Sequence, residues 1–131
     1  MSKSEMYEYA IIRLVPLVER EEFINIGVIL YSKRKDYLDM KIHLDEDRIL
    51  SFSKDIEIEL IKRYLDGWRK VCNGSKEGGP IGQLEMHLRF RWLTANRSTI
   101  IQSSEVHPGS STEPGKELDI LFQKFVLQKI E

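Results

Sequence analysis

The sequence predicts a single α+β domain over residues 1–131, in which helices pack on a mainly antiparallel sheet of about four strands. Three observations predict this class. Strand-like runs fill residues 7–44, and apolar residues at helical spacing dominate residues 46–93. A length of 131 residues is enough for one domain and too short for two ordinary ones. The predicted element order is β-β-β-α-α-α-β-α.

The first two predicted strands are apolar on both sides. Tyr7–Pro16 (YEYAIIRLVP) and Phe23–Tyr31 (FINIGVILY) are rich in aromatic and β-branched residues, and a charged link joins them. Pro16 ends the first strand, because proline cannot donate to the strand ladder. Strands of this kind are typical of the centre of a sheet that is covered on both faces.

The third predicted strand and the next two helices follow directly. Tyr37–Leu44 alternates apolar and polar residues, so we expect an edge strand with one face in water. A short helix is predicted from about Glu46 to Phe52. A longer helix, capped by Ser53 or Asp55, should follow and end at Asn73-Gly74.

The C-terminal part alternates between helix and strand patterns. Helical spacing over residues 81–92 predicts a further helix, or an irregular turn followed by a helix, and Thr99–Ser103 predicts the fourth strand. Thr112 is a candidate cap for the last helix. The segment before it, Glu105–Thr112 (EVHPGSST), is typical of a turn.

Composition excludes several functional classes. Twenty basic and 21 acidic residues give a net charge of −1, so nucleic-acid or membrane binding would need a local patch. The single cysteine, Cys72, excludes an internal disulfide and a multi-cysteine metal site. The sequence shows neither a signal-peptide pattern nor a membrane-spanning apolar run. We therefore expect a cytoplasmic location and no membrane partner.

Catalytic motifs are missing from the sequence. It contains no P-loop, dinucleotide fingerprint, paired-histidine zinc helix or nucleophile elbow. The three histidines, His43, His87 and His107, are dispersed along the chain. The sequence therefore predicts no metal site and no cofactor.

Polar residues interrupt both central strands. A buried Arg13 guanidinium would need a partner, which could be Glu19, Glu22 or an anionic ligand. Asn25 and Gly27 indicate either a β-bulge whose polar groups Asn25 satisfies or a close approach by a ligand.

Two further segments are candidates for function. In Arg89–Ser98 (RFRWLTANRS), basic residues alternate with aromatic ones, as on surfaces that bind phosphates or nucleic acid. The alternative is that Phe90 and Trp92 are core residues while Arg89 and Arg91 face solvent. His107 lies in a predicted loop and is the best general-base candidate among the histidines.

Several of these segments carry a family resemblance. Tyr7–Pro16 with Glu19–Leu30, and the motifs in residues 79–82, 89–93, 97–99 and 106–109, resemble the bacterial domain-of-unknown-function family 3037 (DUF3037). The resemblance implies a small bacterial protein without a defined activity and, as a protein partner, a HipA-like kinase. The candidate site residues that the family pattern shares are Arg13, Glu19, Asn25, Gly27, Arg97, Ser98 and His107.

Three functions are compatible with these residues. The leading one is a non-catalytic binding or regulatory module for a protein partner or a phosphate-bearing ligand, with Arg13, Asn25, Arg97 and Ser98 at its site. The second is a hydrolase or phosphodiesterase in which His107 and Glu19 act as acid–base groups and Arg97 and Arg13 stabilise an anion. The third is single-stranded nucleic-acid binding through residues 89–97.

One geometric prediction connects the candidates. We expect the fourth strand to pair beside the first, leaving the third as an edge. Arg97, Ser98 and His107 should then lie close together, with Glu19 or Arg13 facing them. Such a cluster would be the functional site.

Overall fold

The sheet is the centre of the fold. A computed structural model describes residues 3–127. Within that range the strands are β1 (Glu5–Leu14), β2 (Ile24–Ser32), β3 (Tyr37–Ile42), β4 (Ile101–Ser103) and β5 (His107–Ser111). They form one antiparallel sheet in the order β3-β2-β1-β4, and β5 pairs with β1 beyond β4. The α+β class, the central first strand and the pairing of the fourth strand beside it are confirmed.

Within residues 3–127, four α-helices lie in the connection between β3 and β4, and a fifth follows β5. They are α1 (Glu46–Phe52), α2 (Ile58–Asn73), α3 (Gly79–Gly82), α4 (Met86–Leu93) and α5 (Pro114–Phe122), and α5 continues into a π-helical turn (Gln123–Leu127). Short 3-10 turns lie at Val18–Arg20 and Lys76–Gly78. No helix in the described part of the chain is long and apolar enough to cross a membrane.

The sheet is covered on both faces, as the two doubly apolar strands predict. Ala10, Ile12 and Leu14 of β1 point into a core formed with α2 and α4. Tyr7 and Ile11 point the other way, into a smaller core closed by α5 and the π-helical turn. A side chain's position along β1 therefore decides on which face of the sheet it lies.

The structure contains a fifth strand, β5, where the sequence predicted a turn. Residues 107–111, predicted as a turn, pair with β1 in a register that places His107 opposite Tyr9 and Gly109 opposite Tyr7. Strand propensity is low for this Pro-Gly segment, and pairing with a long central strand overrides it. The Tyr7 ring occupies the space that a Cβ at Gly109 would fill, so glycine suits this position.

A buried serine joins β4 to β5. The Ser104 hydroxyl accepts a 2.8 Å hydrogen bond from the Ile11 amide, and the Ser104 amide donates a 2.8 Å bond to the Ile11 carbonyl. Ser104 thus satisfies both backbone groups of β1 at the break between its two partners. An unpaired amide at this buried position would be costly.

Other local predictions are confirmed in part. The predicted bounds of α1 are correct, and α2 ends at Gly74, whose φ is 68°. Neither Ser53 nor Asp55 caps α2, which begins after Glu57, and Glu113 rather than Thr112 precedes α5.

The third strand is an edge, as predicted, but only part of its polar face lies in water. Tyr37 packs into the core beneath α5, and Lys41 forms an ion pair with Asp119 of that helix. The last helix therefore covers the part of this face around Tyr37, while the side chains of Asp39 and Lys41 stay partly exposed.

Candidate functional site

An open groove lies between α2 and the segment that links α4 to β4. Its volume is about 660 Å³, within the range of small-molecule sites. One wall consists of Arg63, Tyr64, Gly67 and Trp68, and the other includes Trp92 and Arg97. We call this cavity the aromatic groove.

Helix α2 builds the first wall by its spacing. Positions three and four residues apart lie on one face of a helix, so Arg63, Tyr64, Gly67 and Trp68 share the face that meets the groove. Trp68 is only 8% exposed and anchors this wall in the main core, whereas Tyr64 is 48% exposed. The buried Trp68 therefore fixes this wall, and the Tyr64 ring stays accessible from the groove.

Arg97 holds the second wall together. Its Nη1 atom donates to the carbonyl oxygen of Leu93 at 3.1 Å, and Nη2 donates to that of Trp92. Both carbonyls belong to the last turn of α4, where few backbone donors remain, and the Trp92 carbonyl also accepts a long 3.4 Å bond from the Ala95 amide. The guanidinium lies 4.5 Å from the Trp92 ring centroid and 4.9 Å from that of Trp68. It thus satisfies the helix end and makes cation–π contacts with both tryptophans.

The charge of the groove is positive. Burial lowers the pKa of the Arg97 guanidinium, which nevertheless stays protonated because an arginine pKa is so high. Arg63, an exposed residue of α2, adds a second positive charge to the lining of the groove. Among the described residues that line the groove, none is a carboxylate or a histidine. An anionic group would therefore meet attraction without a competing negative charge.

Gly67 leaves a notch in the α2 wall. No atom lies within 4 Å of the position that a Cβ would take at this residue. A glycine inside a helix costs about 1 kcal/mol relative to alanine. Packing in the described structure does not require it, since its surroundings are open. The effect of the missing side chain is to widen the aromatic groove beside Tyr64.

Arg13 has a different partner from those predicted. It is half-buried, and its guanidinium stacks 4.1 Å from the centroid of the exposed Phe23 ring. The predicted ion pair with Glu19 or Glu22 is wrong: Glu22 pairs with Arg20 at 2.6 Å, and within residues 3–127 Glu19 forms no ion pair. An aromatic face replaces the carboxylate because Arg13 is not fully removed from solvent.

Asn25 and Gly27 have structural roles. The β1–β2 register shifts where Arg13 faces Asn25, which makes Ile26 the extra residue of a β-bulge. The Asn25 amide donates a 3.1 Å bond to the carbonyl oxygen of Phe125 in the π-helical turn. The close approach to Gly27 comes from β3, since a Cβ there would lie 2.6 Å from the Lys41 carbonyl oxygen. The predicted bulge is present, but the Asn25 amide bonds the π-helical turn instead of the bulge, and Gly27 is explained by the approach of β3.

The predicted convergence of Arg97, Ser98 and His107 is wrong. The His107 ring lies 5.4 Å from that of Tyr9, on the face covered by α5. Arg97 contacts Trp68 and Trp92 on the opposite face, and Ser98 is exposed next to it. The sheet lies between them, so the described structure does not assemble the hydrolase site that was predicted around His107.

The basic residues of the 89–97 segment also diverge. Arg89 packs against Gly74 and donates a 2.8 Å bond to the Leu84 carbonyl oxygen. Arg91 lines a separate cavity of about 550 Å³, which also contains Glu8, Glu85 and other polar groups of both charge signs. Only Trp92 and Arg97 reach the aromatic groove. These arginines do not form the continuous stripe that a nucleic-acid strand would need.

Sequence reasoning found one wall of the groove and missed the other. Arg97 and Trp92 were candidates, whereas the four α2 residues Arg63, Tyr64, Gly67 and Trp68 were not singled out. A signal was present in α2, since a glycine inside an otherwise amphipathic helix needs a packing or functional reason.

Comparison with known proteins fixes the family. Residues 9–126 match the family described as Protein of unknown function (DUF3037). The chain belongs to this family. No curated protein and no solved structure matches the chain. The DUF3037 match spans β1 to the π-helical turn and so covers the fold, while the function has to be argued from the site.

Proposed function

We propose that this DUF3037 protein is a non-catalytic binding module whose aromatic groove takes a phosphate-bearing ligand. The observation that carries the proposal is the composition of the groove. Two arginines and three aromatic rings line it, and its described lining contains no negative charge. Arginine is the residue best suited to phosphate, because its planar guanidinium can donate two parallel hydrogen bonds.

Both guanidiniums keep donors for a ligand. Arg97 directs hydrogen bonds at the carbonyls of Trp92, Leu93 and Ala95, and a guanidinium has five N–H groups. Two donors therefore remain. The Arg63 side chain is exposed, and in the part of the chain that the structure describes no carboxylate pairs with it. The tryptophan walls reduce the local dielectric constant and strengthen any charge-assisted bond made there.

The groove lacks the groups that catalysis needs. General acid–base chemistry requires a side chain that titrates near the working pH, and the described lining offers none. Burial raises the pKa of the Cys72 thiol to about 12, which makes it a poor nucleophile. Binding without turnover suits a regulatory role towards a protein partner, including the HipA-like kinase that the family resemblance implies.

The proposal is tested by titrating the protein with inorganic phosphate, ribose 5-phosphate and adenosine 5′-monophosphate. Both tryptophans of the chain line the groove, so tryptophan fluorescence reports its occupancy. At least one probe should change the fluorescence saturably. Arg63→Gln should weaken that binding by about tenfold or more, because it removes a charge-assisted bond worth roughly 1.5–3 kcal/mol.

Arg34→Gln is the matched control. Arg34 is exposed in the β2–β3 turn and does not line the groove, so its substitution changes net charge by the same amount. We expect its affinity to stay within about twofold of wild type. The proposal fails if no probe alters the fluorescence, or if the two variants bind equally well.

A further inference from the structure

We infer that the ligand of the aromatic groove is a single nucleotide, with its planar base beside Tyr64 and Gly67 and its phosphate at Arg63 and Arg97. This inference rests on the proposed function and specifies its ligand. The phosphate accounts for the two arginines. The planar base accounts for the exposed Tyr64 ring and the open space at Gly67.

A planar ring fits the exposed part of α2. Tyr64 leaves 48% of its surface exposed, and the neighbouring Gly67 leaves open space where any other residue would place a side chain. Proteins hold unpaired bases by stacking them on aromatic rings or on guanidinium planes. Tyr64 supplies such a ring, and Arg97 lies across the groove with its guanidinium already aligned by two tryptophans.

The extent of the positive surface limits the ligand to one nucleotide. A cavity of about 660 Å³ has the size of a small-molecule site. A bound strand would need further arginines beside the groove. Arg89 instead bonds the Leu84 carbonyl, and Arg91 faces the second cavity. A longer nucleic-acid strand would therefore gain little affinity beyond that of its first nucleotide.

A phosphorylated peptide fits less well, because one backbone carbonyl of the adjacent sheet edge is already hydrogen-bonded. Extended peptides commonly bind by pairing with a free strand edge. The Ile100 carbonyl accepts from Val15 of β1, so the next carbonyl, that of Ile101, points away from β1. Thr99 Oγ1 already donates to that carbonyl at 2.8 Å. This edge of β4 is thus partly blocked for a peptide.

The ligand class is tested by comparing five probes through tryptophan fluorescence. They are adenosine 5′-monophosphate, adenosine, ribose 5-phosphate, a single-stranded hexanucleotide and a phosphotyrosine peptide. We expect the mononucleotide to bind about tenfold tighter than either of its fragments, because only it uses both the ring and the arginines. The hexanucleotide should bind no more than a few-fold tighter than the mononucleotide.

Gly67→Leu tests the base position independently, with a variant that is expected to fold normally. The new side chain enters open space, so the variant should fold and melt no lower than wild type, yet lose at least tenfold in mononucleotide affinity. Asn73→Leu, an exposed and equally uncharged α2 substitution outside the groove, should bind normally.

The outcomes separate the inference from the proposed function. Equal affinity for ribose 5-phosphate and the mononucleotide would overturn the nucleotide ligand while leaving a phosphate site. Tightest binding by the peptide or by the hexanucleotide, or wild-type affinity in Gly67→Leu, would also overturn it. If none of the phosphate-bearing probes binds, the proposed function itself falls.

Discussion

Gly27→Ala is expected to lower the free energy of unfolding by about 3 kcal/mol. The added Cβ would lie 2.5 Å from Ile42 Cδ1 and 2.6 Å from the Lys41 carbonyl oxygen. The side-chain atom can rotate away, but the carbonyl belongs to the β2–β3 ladder and moves only if the strands separate. Overpacking of this kind typically costs 1–3 kcal/mol, and backbone contact places it at the upper end. Urea unfolding at equilibrium measures the change.

Gly67→Ala is the matched control for this substitution. The chemical change is identical, but the new methyl group meets no atom within 4 Å and replaces a poor helix former. We expect it to stabilise the protein by up to about 1 kcal/mol. The two variants should therefore shift the unfolding midpoint in opposite directions. Shifts of the same sign and size would contradict the packing described around both glycines.

Arg97→Ala is expected to cost about 2–3 kcal/mol of stability and to abolish ligand binding. The substitution removes hydrogen bonds to the carbonyls of Leu93 and Trp92 and the contacts with two indole rings. Each charge-assisted bond contributes roughly 1.5–3 kcal/mol and each cation–π contact about 0.5–2 kcal/mol, reduced here by partial exposure. The tryptophan emission maximum should also shift, because Trp92 becomes more exposed.

Arg97→Lys separates the charge from the planar geometry. Lysine keeps the positive charge but cannot bond two carbonyls while it stacks between two rings. We expect this variant to recover less than half of the stability lost in Arg97→Ala. Full recovery would show that the charge alone matters, and unchanged stability in the alanine variant would remove the structural basis of the groove's second wall.

The sequence predicted most of the fold because buried strands and helices have recognisable patterns of apolar residues. Strands β1 and β2 are apolar on both sides, and the structure covers both of their faces. Strand β5 has no such trace, since its residues are mostly exposed and include proline and glycine. It forms because β1 extends beyond β4 and offers free backbone groups there. That pairing is a property of the assembled sheet.

The site was less predictable because it combines distant segments. Arg13 was expected to pair with Glu19, Glu22 or an anionic ligand, and its observed partner, the Phe23 ring, is uncharged and gives no signal of this kind in the sequence. The aromatic groove joins α2 to a segment about thirty residues later, and only the packing of α2 against α4 brings Trp68 to Arg97. Side-chain periodicity predicted the long helix, but not which segment packs beside Trp68.

The most direct test of the groove as the ligand site is a titration of ¹⁵N-labelled protein with adenosine 5′-monophosphate, followed by NMR. The chain has two tryptophans, and the structure places both in the groove, so their indole N–H signals are unambiguous reporters. We expect both indole signals and the Gly67 amide to shift saturably with one dissociation constant, while the amides of His107 and Glu19 stay in place. Saturable shifts at His107 and Glu19, with the indole signals unmoved, would contradict the assignment of function to the aromatic groove.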